Sequence, residues 1–310
     1  MSIQNFLYRQ KQRLIIRTSS DLLKRHVATI NLIEKKVEIN EEGCTIIELG
    51  LFIPKSFGFI FEPRTFELLM INARELKGTY RIVDGKLLFH FSKCTVEITS
   101  RSELFIIHEI FLQKCYQFLL PQDTMVRVVD IGMNVGLASL FFAGLPYVIG
   151  VHGYEPFAPT FQQALRNFNH NPDLTHKIEP NNFGLGERKE SIEVPYDSTN
   201  KGVNASLIGS PRKIAGDVEK LDIQNAYDSL MQLVKRFPDA RFVLKIDTEG
   251  AEYSIIKSFP NGRIPSEVIA IMAEWHYYGP EPIEHILQQN GFKIISQRLN
   301  ENGGLIYAFR

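Results

Sequence analysis

An apolar strand that runs through a glycine-containing turn into a helix is the feature that most constrains this fold. The predicted strand covers 126–131, the turn contains Gly132, Asn134 and Gly136, and the predicted helix covers 135–142. Glycine permits a positive φ and lets a ligand approach the backbone closely. The start of the helix offers free N–H groups and a partial positive charge. The pattern therefore predicts a β-α unit whose turn binds a nucleoside cofactor.

The spacing of the turn residues separates the possible cofactors. The dinucleotide pattern G-x-G-x-x-G and the phosphate-loop pattern G-K-[ST] are both absent, and the order here is D-x-G-x-N-x-G, starting at Asp130. A carboxylate before the first glycine repels a pyrophosphate and suits a ligand with an ammonium group, such as the methionine part of S-adenosylmethionine. By itself the motif is short, and an ordinary strand–turn–helix remains open as an interpretation.

Three further predicted strands end in ionisable residues. They are 147–154, followed by Glu155; 241–246, followed by Asp247, Glu249 and Glu252; and 268–273, followed by Glu274 and His276. An acidic residue at the tip of the second strand can accept hydrogen bonds from ribose hydroxyls. In open parallel sheets, ligands bind at the carboxyl ends of the strands. The sequence therefore predicts a ligand site along that edge.

These motifs together resemble the FkbM family of S-adenosylmethionine-dependent methyltransferases. The matching segments are D-I-G-M-N-V-G at 130–136, Y-E-P at 154–156, L-D at 221–222, L-K-I-D-T-E-G-A-E at 244–252 and G-G-L-I-Y-A-F at 303–309. The similarity covers roughly 103–310. Met133 departs from it, since the family usually has alanine there. The resemblance implies the strand order 3-2-1-4-5-7-6 and methylation of a hydroxyl on a sugar, polyketide or other secondary metabolite.

The alternation of strands and helices predicts an α/β fold with a doubly wound, mostly parallel sheet and one antiparallel strand. With the resemblance, this becomes a seven-stranded, Rossmann-like class I methyltransferase domain at 102–310. The preceding residues, 1–101, form a predicted α+β accessory region. Two roles remain open for that region: it only stabilises the sheet, or it helps to close the acceptor pocket or mediates dimerisation.

The composition of the chain limits the kinds of partner that it can have. Of 310 residues, 35 are basic and 35 acidic, so no net charge favours a nucleic acid. No apolar run reaches the ~18 residues that span a bilayer. Cys44, Cys94 and Cys115 show no zinc pattern and are expected to be reduced, as in a cytoplasmic protein. We therefore predict a cytoplasmic enzyme with a small-molecule or glycan hydroxyl acceptor, without nucleic acid or membrane, and possibly homodimeric.

Seven residues are the predicted cofactor site. Asp130 binds the methionine end, directly or through the turn, and the three turn residues shape the approach of the backbone. Glu155 binds the ribose hydroxyls. Asn182 and Phe183 lie where the adenine is expected. The predicted cofactor residues are Asp130, Gly132, Asn134, Gly136, Glu155, Asn182 and Phe183.

His276 is the predicted general base, because histidine titrates near neutrality. Asp247 and Glu249 are predicted to bind the acceptor, assist as base or, as a less favoured interpretation, hold a divalent metal through oxygen ligands. We predict no metal. Alternatively, Glu249 and Glu252 only favour the start of the next helix.

The acceptor is the least constrained part. Trp275, Tyr277 and Tyr278 suit a sugar, although aromatic residues are as often core. The long segment 197–216 is rich in polar residues and glycine, and is predicted to be a lid that reads the acceptor. The predicted function is S-adenosylmethionine-dependent O-methyl transfer. Two alternatives remain: a catalytically silent S-adenosylmethionine-binding scaffold and, against the D-x-G-x-N-x-G order, a nicotinamide-dependent oxidoreductase.

Overall fold

The structure is a computed structural model that describes residues 3–32, 36–118, 124–196 and 217–310. The chain divides into two units, Met1–Gln113 and Lys114–Arg310. The division lies further along the chain than the predicted one after residue 101. The first unit ends in a short α-helix, Arg101–Ile107, followed by a π-helical turn, His108–Leu112.

The first unit has helices around two three-stranded antiparallel sheets, β1-β2-β3 and β4-β5-β6. Its elements are α1 (Ile3–Thr18), α2 (Leu22–Asn31), β1 (Val37–Ile39), β2 (Gly43–Ile46), β3 (Leu51–Pro54), a 3₁₀ segment (Lys55–Phe61), α3 (Pro63–Glu75), β4 (Thr79–Val83), β5 (Lys86–Phe91), β6 (Cys94–Ile98) and α4 (Arg101–Ile107).

Local signals explain two of these elements. The hairpin of β4 and β5 turns at Asp84 and Gly85, which both have a positive φ, as a type I′ turn requires. Helix α2 is capped by Asp21, whose side chain accepts from the Lys24 N–H. The predicted mixed α+β character of this region is therefore observed.

The second unit alternates strands and helices. Its elements are β7 (Val126–Ile131), α5 (Leu137–Ala143), β8 (Val148–Tyr154), α6 (Ala158–Asn169), α7 (Pro172–Thr175), β9 (Ile178–Asn181), β10 (Gly184–Gly186), β11 (Glu190–Tyr196), β12 (Asp217–Asn225), α8 (Ala226–Arg236), β13 (Arg241–Ile246), α9 (Glu252–Lys257), a 3₁₀ segment (Pro260–Gly262), β14 (Val268–His276), α10 (Glu281–Gln289), β15 (Lys293–Asn300) and β16 (Gly303–Phe309).

Seven of these strands form one sheet in the order β9-β8-β7-β13-β14-β16-β15. Counted within this sheet, the order is 3-2-1-4-5-7-6, so the predicted topology is confirmed. Strand β16 runs antiparallel to both of its neighbours, and the remaining pairs are parallel. The fold is the predicted Rossmann-like, doubly wound sheet.

The centre of the sheet is apolar on both faces. Phe242, Leu244 and Ile246 of β13 are buried in a core that also receives side chains from α8, α9 and α10. The chain leaves β7 towards β8 on one side and returns to β13 on the other. This reversal creates a crevice at the carboxyl ends of β7 and β13, where open α/β sheets bind ligands.

A second sheet of three strands, β10-β12-β11, is formed by the part of the chain between β9 and β13. Strand β12 is followed directly by α8, which begins at Ala226 behind the N-cap Asn225. The predicted lid at 197–216 lies outside the described residues. Within the described ranges, no helix combines the length and apolarity needed to cross a membrane.

Candidate cofactor and active site

The turn after β7 is held against two neighbouring strands. Gly132 and Met133 donate their N–H groups to the Tyr154 carbonyl at 3.1 and 2.9 Å. Gly132 has a φ of +81°, and a Cβ there would lie 1.8 Å from the Asp247 carbonyl oxygen. Only glycine fits such a position. The predicted cradle therefore exists, and it touches the end of β13.

Asp130 is buried and does not face the crevice. Its Oδ2 accepts from the Ser139 hydroxyl at 2.6 Å, and its Oδ1 lies 3.2 Å from the Lys245 ammonium. A carboxylate that is already paired in the interior is not available to a ligand. The predicted direct contact of Asp130 with the methionine end is therefore wrong in this structure, and the alternative through the turn remains.

Lys245 supplies that indirect connection. Its ammonium group is buried and donates to the Gly132 carbonyl at 2.7 Å. The same nitrogen lies 3.6 Å from Asp247 Oδ2. Burial lowers the pKa of Lys245, but the charges of Asp130 and Asp247 outweigh it and raise the pKa. Lys245 thus stays charged and joins the cradle turn to the end of β13.

Glu155 lies beside the cradle, as predicted, at the end of β8. Its carboxylate accepts from the Asn134 N–H at 2.9 Å and from the Phe157 N–H at 3.0 Å. Burial raises the pKa of Glu155 to about 7, although both backbone hydrogen bonds lower it. The side chain therefore links the cradle turn to the start of α6, and its contact with a ribose stays a prediction.

Asn182 and Phe183 follow β9 on the same edge. The Asn182 amide donates to the Glu155 carbonyl at 2.9 Å. The Phe183 ring packs against Tyr154, with 5.3 Å between the ring centroids. The structure thus places both residues close to Glu155, and their contact with an adenine stays a prediction.

Five ionisable residues lie at the carboxyl ends of β13 and β14, and we call them the strand-end cluster. They are Asp247, Glu249, Glu252, Glu274 and His276. Strand β14 extends to His276, three residues beyond the predicted end at 273. The three predicted catalytic residues, Asp247, Glu249 and His276, have ligating atoms within 4.8 Å of one another.

His276 is surrounded by carboxylates. Its Nδ1 lies 3.3 Å from Glu252 Oε1, and its Nε2 lies 3.6 Å from both Glu249 Oε2 and Glu274 Oε1. Burial lowers the pKa of His276, but the contact with Glu252 and the neighbouring negative charges outweigh it and raise the pKa to about 10. An imidazole that is protonated at neutral pH cannot accept a further proton. The surroundings of His276 therefore favour its protonated form, and its role as the base stays a prediction.

Asp247 and Glu249 differ in their surroundings. Asp247 Oδ2 accepts from the Tyr116 hydroxyl at 2.8 Å. Burial raises the pKa of Asp247, but Lys245, His276 and the hydrogen bonds outweigh it and hold the pKa below its usual value. Glu249 has only His276 as a cationic neighbour among the described residues, and burial outweighs that charge and raises the pKa of Glu249 to about 7.

Glu252 supports the cluster from within. Its Oε1 accepts from the Thr248 N–H and hydroxyl and from the Gly250 N–H, at 2.9 to 3.1 Å. The alternative interpretation, that Glu252 favours the start of α9, therefore agrees with the structure. It also contacts His276, which a role limited to the helix start does not explain.

The structure corrects the aromatic part of the acceptor site. Trp275 is fully buried, with the Arg298 guanidinium 5.1 Å from the centre of its ring. It is therefore a core residue rather than a sugar platform. Tyr277 and Tyr278 are 37% and 55% exposed and stay available to a ligand.

Two contributors are harder to find in the sequence. Ser139 is a small polar residue on the buried face of α5, and only its bond to Asp130 reveals its role. Tyr116 is far from β13 in the sequence, and its hydroxyl orients Asp247.

Comparisons with known proteins agree with the motifs. No protein-family model matches the chain. Methyltransferase 1 of Beauveria bassiana is 28% identical over 171 residues, which cover 49% of this chain and 66% of that protein. Methyltransferase sdnD of Sordaria araneosa is 24% identical over 248 residues, which cover 71% of this chain and 92% of that protein. The chain thus spans just under two thirds of the first relative.

Among solved structures, Methyltransferase FkbM of Methylobacillus flagellatus KT matches with a TM-score of 0.42 and 18% identity, covering 62% of this chain and 45% of that one. The sheet order defines the class of fold, that of the Rossmann-like methyltransferases. The chain is similar to proteins named methyltransferases, as its motifs predict.

Proposed function

We propose that the protein transfers a methyl group from S-adenosylmethionine to a hydroxyl oxygen of a sugar, glycan or secondary metabolite. The observation that carries this proposal is the direct contact between the cradle turn and Asp247, the first residue of the strand-end cluster. A donor bound in the cradle would have its reactive end beside that cluster. The methyltransferase relatives support the same class of reaction.

The residues of the cradle fit the donor. Gly132 and Gly136 have the positive φ values that set the path of the turn, and Asp247 and Phe168 pack where their Cβ atoms would lie. Glu155 can exchange its backbone N–H partners for ribose hydroxyls. The first turn of α5 adds unpaired N–H groups at the helix start. Since Asp130 is paired with Lys245, the ammonium group of the methionine part would find its negative partner in Asp247 rather than in Asp130.

When bound, S-adenosylmethionine supplies an electrophilic methyl group on a sulfonium. The acceptor oxygen forms the new C–O bond as the S–C bond breaks, its proton leaves, and S-adenosylhomocysteine departs. The chain must hold the acceptor in line and take up the proton. Correct orientation alone can supply a large part of the lowering of the barrier. Asp247 and Glu249 are 27% and 22% exposed, so their oxygens can reach an acceptor hydroxyl.

Two rival functions make different demands. A nicotinamide-dependent oxidoreductase would need room for a pyrophosphate at the cradle, where the negative charge of the strand-end cluster opposes it. A silent S-adenosylmethionine-binding scaffold would have no use for partly exposed carboxylates beside the cradle. Both observations favour methyl transfer.

Calorimetric titration of the full chain with S-adenosylmethionine, S-adenosylhomocysteine and NAD tests the donor. We expect both methionine nucleosides to bind and NAD not to bind, and the reverse result would refute the proposal. A screen with methyl-labelled donor against glycans and metabolites then tests the reaction. We expect the label in a product that resists mild alkali, as an ether does and an ester does not. Donor binding without any labelled product would favour the scaffold.

A further inference from the structure

We infer that Asp247, Glu249 and His276 form a binding site for one divalent cation of the Mn²⁺ type. Their ligating atoms lie within 4.8 Å of one another. Metal–ligand bonds of about 2.0–2.6 Å place ligand atoms on opposite sides of an ion about 4–5 Å apart. The three side chains thus need little movement to share one ion, and they combine the carboxylate and imidazole donors that such cations accept.

The orientation of His276 matches that of a metal ligand. Its Nδ1 faces the buried Glu252 carboxylate at 3.3 Å, and Glu252 is fixed by Thr248 and Gly250. Metal-binding histidines typically use one ring nitrogen in this way, which orients the ring and directs the other nitrogen at the ion. That other nitrogen, Nε2, has Glu249 and Glu274 oxygens at 3.6 Å, beyond hydrogen-bond distance. Binding of an ion displaces the proton from it.

A second observation is independent of this geometry. The Glu252 side chain is fully buried, and its Oε2 atom has no hydrogen-bond partner among the described residues. Its sister oxygen is the one that contacts His276. A buried, unsatisfied carboxylate oxygen is costly and indicates a missing partner or charge. The unsatisfied atom belongs to the carboxylate that orients the proposed ligand.

The local charges are also unequal. Among the described residues, the buried or half-buried carboxylates at the ends of β7 and β13 outnumber the cations beside them, which are Lys245 and His276. These carboxylates are Asp130, Asp247, Glu249 and Glu252. A divalent cation would balance this charge where water is largely excluded.

This inference rests on the proposed function only for its chemical use. A cation beside the cradle would bind the acceptor oxygen and favour loss of its proton. It would thereby take over the task that His276 was predicted to perform. Acceptors with two neighbouring oxygens, such as sugar diols, would suit it best, because two oxygens can bind one ion.

Titration of the metal-free full chain with Mn²⁺, followed by the electron paramagnetic resonance signal of free Mn²⁺, tests the site. We expect one saturable site per chain, and affinity at least about tenfold weaker in Asp247→Asn, Glu249→Gln and His276→Gln. Glu193→Gln, an exposed carboxylate on β11, is the matched control and should bind as the wild type does. Spin-echo modulation by a directly bound ¹⁴N should be present in the wild type and lost in His276→Gln.

Absence of saturable binding up to ~1 mM Mn²⁺ would overturn the inference. Equal binding by all three variants would also overturn it, as would a wild-type ion without nitrogen coupling. Thermal unfolding of each metal-free variant identifies misfolding, and Glu249→Gln, at a half-exposed position, serves if the other two unfold. Calorimetry with S-adenosylmethionine on the metal-free wild type separates the two proposals, since it tests the cradle whether or not Mn²⁺ binds.

Discussion

The cradle turn and the strand-end cluster lie at the same edge of the sheet but are built differently. In the cradle, the polar groups are mainly backbone N–H and C=O groups, and each charged side chain has a defined partner. In the cluster, four carboxylates surround a single imidazole. The first arrangement is already complete as a shaped surface, whereas the second is short of positive charge. The comparison suggests that the cradle selects a ligand by shape and the cluster by charge.

Among the variants that probe these two regions, Lys245→Met is expected to lose the most stability, because it removes the cation that both regions share. Asp130 would stay buried without a counter-charge, which costs about 3–5 kcal/mol of unfolding free energy. Urea unfolding measures it. Lys177→Met is the matched control, because the Lys177 ammonium donates only to the carbonyls of Ala143 and Val148.

The double variant Asp130→Asn/Lys245→Met should recover part of the loss, since it removes both charges of the pair. Equal losses for Lys245→Met and Lys177→Met would mean that the ion pair does not hold the cradle. In that case the two regions would be independent of each other.

Gly132→Ala should disturb the contact between the cradle turn and the strand-end cluster. The new Cβ would collide with the Asp247 carbonyl, and alanine would be held at φ +81°. Strain and overpacking together should cost about 2–4 kcal/mol and abolish donor binding. Gly291→Ala is the control, since Gly291 has a φ of +76° but no heavy atom within 4 Å of the added Cβ. Similar losses in both variants would assign the effect to φ alone.

The same contrast explains what the sequence could predict. Gly132 and Gly136 are visible because a positive φ favours glycine. The alternation of strands and helices indicates a mostly parallel sheet, and the family resemblance implies its strand order. The fate of Asp130 was not visible, because its partners Ser139 and Lys245 come from other elements. The pKa of His276 depends on carboxylates from the loop after β13 and from the start of α9, so residue type alone could not indicate that the pKa is raised.

Donor binding should depend on pH through Glu155. Burial raises its pKa to about 7, so the carboxylate is largely ionised at pH 8 and largely protonated at pH 6. Ribose hydroxyls donate to the ionised form. The affinity for S-adenosylmethionine should therefore fall about tenfold from pH 8 to pH 6. Calorimetry at both pH values measures this change, and Glu155→Gln should bind more weakly with no such dependence. An unchanged slope in the variant would assign the titration to another group.

The smallest change in unfolding free energy is expected from removing either of two tyrosine hydroxyl groups. They donate at the same distance to different acceptors. Tyr116 donates to the Asp247 carboxylate and Tyr307 to the Cys115 carbonyl, both at 2.8 Å. A hydrogen bond to a charged acceptor contributes about 1.5–3 kcal/mol and one to a neutral acceptor about 0.5–1.5 kcal/mol. Tyr116→Phe should therefore lose about 1 kcal/mol more unfolding free energy than Tyr307→Phe at neutral pH.

Acid should remove this difference. The folded-state pKa of Asp247 is lowered, so its stabilisation is present above the unfolded-state pKa and is lost as the pH falls through the folded-state value. Urea unfolding of both variants at neutral pH and at the lowest pH where the wild type stays folded measures the change. A smaller difference in unfolding free energy between the two variants at low pH would mean that Tyr116 stabilises the charged form of Asp247. A gap that stays constant would mean that Tyr116 acts through packing, and the cluster would then lack the anchored carboxylate that its proposed ligand requires.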